Sequence, residues 1–98
     1  TYSSAPVTAE QGEAWGLVTE LAEDTEAAAL AMAREIAGKS PSAIRAAKRL
    51  IGYAETNVEN TEAVLLEESR EQATLIGKPH QMEVIAANMQ RRPAVFKD

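Results

Sequence analysis

The chain has 98 residues, a net charge of −5 and no cysteine. One modest core is the most this length can build, and the acidic balance argues against a nucleic-acid binder, which needs a basic face. Absence of cysteine excludes a disulfide scaffold, a thiolate metal site and a thiol nucleophile. The single histidine excludes a His-rich metal site. Hydrophobic residues make up 45%, mostly alanine and aliphatics with few aromatics. That composition suits close helix packing better than a β-rich core. No signal peptide, lipidation motif or bilayer-length apolar run is evident, so a soluble cytoplasmic location is the default expectation. The chain begins with Thr1 rather than methionine, and it reads as a piece of a longer protein.

In chain order, Thr8-Ala9-Glu10-Gln11 is a capping-box pattern, with Pro6 keeping the preceding backbone extended. The spacing predicts a short helix ending near Trp15, with Gly16 as a left-handed cap. Gly12 costs roughly 1 kcal/mol of helix propensity and suggests close approach by another backbone. Trp15 is expected as a packed anchor, and Leu17-Val18 as a short buried extended step.

A second helix is expected from Asp24-Thr25 to Ala37, capped by Gly38, with Leu30, Ala33, Ile36 and Ala37 on one face. Ser40-Pro41 then opens a third helix, Ser40 as N-cap and Pro41 at the first helical position. Its apolar stripe is Ile44, Ala47, Ile51 and Ala54, and Arg45, Lys48 and Arg49 form a basic face. A fourth helix should run from Asn60 or Thr61 to Ile76, capped by Gly77. On it Leu65, Leu66, Ala73 and Ile76 are expected to be buried and Glu67, Glu68 and Glu71 to face outward. The last helix is expected from Pro79 or His80 to Arg92, its final turn holding two arginines that complement the helix dipole. No β pattern or internal repeat is present, so the fold class is all-α with about five helices.

Candidate chemistry is sparse. Each glutamate fits a solvated position, and adjacent Glu67 and Glu68 point apart on a helix rather than sharing a site. His80 lacks a nucleophile or carboxylate at recognisable spacing, and an N-cap role or exposure is expected for it. Neither a nucleophile elbow nor a Gly-rich phosphate loop is found. Two basic clusters remain: Arg45, Lys48 and Arg49, and the closing group of Arg91, Arg92 and Lys97. The second is the better anion candidate, because guanidinium groups grip phosphate or carboxylate bidentately.

Taken together, the motifs resemble one family. Val7-Thr8-Ala9-Glu10-Gln11-Gly12-Glu13-Ala14-Trp15-Gly16-Leu17-Val18 is similar to S-A-x-E-A-x-x-x-G-L-V. Leu30 to Ala37 followed by Ser40-Pro41-Ser42-Ala43 is similar to A-x-x-I-A…S-P-x-A, and Ala46-Ala47-Lys48-Arg49-Leu50 to A-x-K-x-L. Gln90-Arg91-Arg92-Pro93-Ala94-Val95-Phe96 is similar to a closing E-K-R-x-P-x-F. In this order and spacing they resemble the C-terminal helical region of the enoyl-CoA hydratase/isomerase (crotonase) family, over nearly the whole chain.

The resemblance implies an upstream core of ββα turns that carries the catalysis, through an oxyanion hole of two backbone N–H groups and, in hydratases, two glutamates. It implies that these helices make trimer contacts, often within a dimer of trimers, and cover the acyl-CoA site. The 98-residue chain itself is then expected to be inactive, with acyl-CoA as substrate of the whole protein and no tightly bound cofactor. Residue by residue, Asn88 stands where the family often places a Phe against the CoA adenine, and Arg91 where it has a Lys near the phosphates. Arg91 keeps the charge; Asn88 cannot stack. Val84 in place of the usual Gly, Gln11 for Glu and Ser4-Ala5 for a Gly-Arg pair are further departures. A stand-alone helical interaction module and a non-catalytic scaffold of the same family are the alternatives.

Overall fold

The computed structural model describes residues 3–97. It is all-helical: α1 (Ala9–Ala14), α2 (Thr25–Ala37), α3 (Pro41–Thr56), α4 (Thr61–Leu75) and α5 (Pro79–Met89), with no strand among the described residues. Local chemistry explains most of the boundaries. Thr8, extended at ψ 161°, accepts from the Gln11 N–H, and the Gln11 side chain accepts in return from the Thr8 N–H, closing the capping box. Asp24 accepts from the Ala27 N–H ahead of α2. Ser40 and Asn60 cap α3 and α4 in the same way, through the N–H groups of Ala43 and Ala63.

Helix ends follow the glycine logic at two of three places. Gly16 (φ +75°) and Gly77 (φ +73°) take the left-handed conformation after α1 and α4. Gly38 does not. Its N–H instead reaches the Arg34 and Glu35 carbonyls, each at 3.1 Å, and α2 closes by tightened hydrogen bonds.

The chain divides into two compact units, Thr1–Ala33 and Arg34–Asp98, the division falling within α2. In the first, the one buried residue among those described is Gly12. A Cβ there would lie 3.9 Å from the Val18 side chain, so its close neighbour is a side chain and not the expected backbone. Trp15 is 65% exposed and Leu17 70%, which overturns the packed anchor and the buried step. Both follow a six-residue helix, and a turn of that length offers no second layer to bury them.

In the second unit α3 packs on α4. Ala46 is buried on the contact face, with Ala43, Leu50 and Tyr53 half-buried. Of the expected α3 stripe Ile44, Ala47 and Ile51 are exposed and Ala54 is half-buried, so the expectation holds only at its last position. On α4 the expectation is likewise reversed. Leu65, Leu66, Ala73 and Ile76 are exposed, whereas Val64, Glu67, Glu71 and Leu75 are half-buried. On that side the Arg49 guanidinium of α3 holds Glu71 through two 2.7 Å bonds. The remaining buried apolar residue is Ala87 of α5.

Candidate functional site

The closing segment differs from its expected form. α5 stops at Met89, with no basic residue in its last turn, and the arginines lie beyond it. Arg91 takes φ +51°, its N–H bonding the Asn88 carbonyl while the Arg92 N–H reaches back to the Ala87 carbonyl. That pattern is a left-handed helix stop in which an arginine occupies the place usually filled by glycine. A side chain there costs roughly 1 kcal/mol.

Past the stop the chain folds back on α5. Glu83 accepts from both terminal nitrogens of Arg92's fork and from the Val95 N–H at 2.8 Å. With Arg92 foremost and the Val95 amide second, these donors hold the Glu83 carboxyl down at about 2. Arg92 also donates to the Gln90 side chain and the Pro93 carbonyl. Its donors are therefore committed within the chain. The nine-residue separation of Glu83 and Arg92 carries no helical-spacing signal, which is why sequence reasoning missed the pair.

His80 makes the second attachment. It is the second residue of α5, not its N-cap, and its Nδ1 accepts from the Ser42 N–H at 3.3 Å with the Ser42 hydroxyl at 3.0 Å. Nε2 then carries the proton and donates to the Lys97 carbonyl at 2.9 Å. Phe96 sets its ring edge-on to the imidazole, 5.4 Å between centroids and 78° between planes. One side chain thus joins the starts of α3 and α5 to the tail.

Of the expected site residues, Asn88 and Arg91 are both exposed at the carbonyl end of α5. The Arg91 side chain has no hydrogen bond or ion pair among the described residues, so its charge is available at that end of α5. Asn88 contributes its backbone carbonyl to the helix stop. The structure does not gather Arg91, Arg92 and Lys97 into one anion site, because Arg92 is spent on Glu83. In the other basic cluster, Arg49 is spent on Glu71, which is 14% exposed and whose pKa is lowered first by that hydrogen bond.

Catalytic chemistry finds little support. Ser42 and His80 are in contact, but the neighbouring N–H groups of Ser42 and Ala43 are already bonded, to His80 and Ser40. They offer no oxyanion donors. Among the described residues no group of three His, Cys, Asp or Glu could hold a metal, and no helix is long and apolar enough to cross a membrane.

The dominant surface feature is apolar. Exposed large side chains include Trp15, Leu17, Leu30, Ile36, Ile51, Val58, Leu65, Leu66 and Met89. The chain exposes 8388 Å²; two separate globules of the units' sizes would expose about 6,500 Å² by the usual mass scaling. Compared with known proteins, the chain matches no family model and no curated protein.

Proposed function

We propose that the chain is a helical assembly region of an enoyl-CoA hydratase/isomerase-like enzyme, its open apolar faces serving as contact surfaces. The observation that carries the assembly reading is the exposure of large apolar side chains on every helix that has them, while two alanines are the only buried hydrophobic residues among those described. Large apolar side chains left open in such numbers support a contact surface. The surface in excess of two separate globules, about 1,900 Å², is of the order a stable interface buries. The enzyme family enters through the ordered motifs from Thr8 to Phe96, and with it trimeric association and an acyl-CoA substrate. Arg91, exposed and unpaired, is the residue proposed to meet the CoA phosphates. Asn88 beside it supplies an amide in place of a stacking ring.

The experiment is to express the whole reading frame and the 98-residue chain separately, and to follow crotonyl-CoA hydration by loss of thioester absorbance. The whole protein is expected to be active and the chain inactive but self-associating. Activity in the chain alone would overturn the assignment of catalysis to an upstream core. In the active protein, Arg91→Ala should raise KM for acyl-CoA more than it lowers kcat. An unchanged KM would assign the arginine to a subunit contact. A second reading, a stand-alone helical interaction module, draws on the same exposed faces, which need no catalytic core. A reading frame without an oxyanion-hole segment ahead of Thr8 would favour it.

A further inference from the structure

A cavity of about 430 Å³ lies at the opposite end of α5, lined by Ser42, Thr74, Lys78, Pro79, His80 and Lys97. Three helices and the folded-back tail contribute to it. Its two charged side chains are both lysines, and no carboxylate lines it. Neither lysine has an ion-pair partner among the described residues, in a chain where Arg49, Arg70, Arg92 and Lys39 all do. Lys97 is brought there by the attachment of its carbonyl to His80, and Lys78 by its place at the N-cap of α5.

We propose that this cavity binds a small anion, a phosphate or carboxylate group, between the Lys78 and Lys97 ammonium groups. The two ends of α5 make the contrast. Arg91 sits at the carbonyl end, where the helix dipole opposes an anion, and Lys78 at the amide end, where it favours one. No side chain caps α5, so the His80 and Gln81 N–H groups of its first turn retain donor capacity. The Ser42 hydroxyl, shared with His80 Nδ1, can turn to meet an oxygen. Thr74 donates to the Glu71 carbonyl and forms wall rather than ligand. The volume exceeds that of a single phosphate, leaving room for an organic remainder. The proposal does not rest on the acyl-CoA reading and stands or falls without it.

The test is a titration of the full 98-residue chain with inorganic phosphate and, separately, acetate. Ionic strength is held constant with chloride, and backbone amide NMR shifts are followed. Saturable shifts at Ser42, His80, Gln81 and Lys97 are expected. They should weaken at least tenfold in the Lys78→Gln/Lys97→Gln double variant and persist in Lys78→Arg/Lys97→Arg. Saturation by phosphate alone would assign a phosphate ligand, and saturation by both anions a general oxyanion site; either supports the proposal. Shifts that chloride reproduces, or saturation that survives in the double glutamine variant with its helicity intact, would overturn it.

Discussion

Along α3 two apolar stripes run side by side, one residue apart. Ala43, Ala46 and Leu50 turn toward α4, while Ile44, Ala47 and Ile51 stay open to solvent. The isoleucines are thus outside, and the buried side of α3 combines alanines with Leu50 and Tyr53. A lone globule would place its isoleucines the other way round. Under the assembly proposal the open stripe is a surface for another chain, while the buried one belongs to the joint where α3 packs on α4 within the unit.

The two stripes predict opposite outcomes for the same substitution. Ala46→Asp, at a residue 3% exposed, puts an unpaired charge into the joint and should cost about 3 kcal/mol or more. For a small unit that is enough to abolish the cooperative thermal transition, read by circular dichroism at 222 nm. Ile51→Asp, at a residue 70% exposed, should cost no more than about 0.7 kcal/mol of helix propensity. It should nevertheless dissolve self-association, measured by sedimentation at micromolar concentration. If Ile51→Asp unfolds the chain, or leaves its association unchanged, the division between joint and contact surface is wrong.

The two bidentate Arg–Glu pairs sharpen the same division at smaller scale. Arg49–Glu71 ties α3 to α4 across the joint, whereas Arg92–Glu83 only holds the tail. Both carboxyls have lowered pKa values, Glu83 to about 2 from an ordinary 4.5. A depressed folded-state pKa contributes stability that is present above the unfolded value and lost as pH falls through the folded one. Acid should therefore release the tail between about pH 4.5 and 2, seen as lost exchange protection at the Val95 amide. Glu83→Gln should release it already at neutral pH and leave the α3–α4 transition in place. Glu71→Gln should do the reverse, lowering that transition modestly because Arg49 is largely solvated.

What could be read from the sequence follows the range of the interactions involved. The Thr8–Gln11 capping box, Gly16, Ser40-Pro41 and Gly77 work through residues at most a few positions apart, and all appear where the pattern placed them. All five helices follow from such signals. The choice between adjacent stripes on α3 does not. It depends on how α3 and α4 meet, through contacts such as Arg49 with Glu71, twenty-two residues away. The end of α5 lies three residues before the expected one. Gln90-Arg91-Arg92 are all good helix formers, but Pro93 disfavours helix at Arg92, and beyond the stop the tail returns to Glu83 and His80. Of the closing group, only the availability of Arg91 agrees with the expected anion site, and its environment there is a helix end of the wrong polarity.

The smallest effects test whether Arg91 is kept for its charge. Gly12 and Arg91 are positions whose residue is not the one their backbone favours. Gly12 lies inside α1 with ordinary space for a methyl group, and Arg91 stands at φ +51°. Gly12→Ala should stabilise the chain by about 0.5–1 kcal/mol through helix propensity. Arg91→Gly should add a similar amount by relieving the left-handed strain. Thermal melts of both variants should rise by a few degrees. The two then part company, because Gly12 has no side chain to meet a ligand and Arg91 is the exposed cation proposed to meet acyl-CoA. A stabilised Arg91→Gly protein with a raised KM would show that the strain is tolerated for the sake of the charge. A stabilised protein with unchanged kinetics would leave Arg91 as a replaceable helix stop, and move the search for the phosphate partner to Lys78 and Lys97.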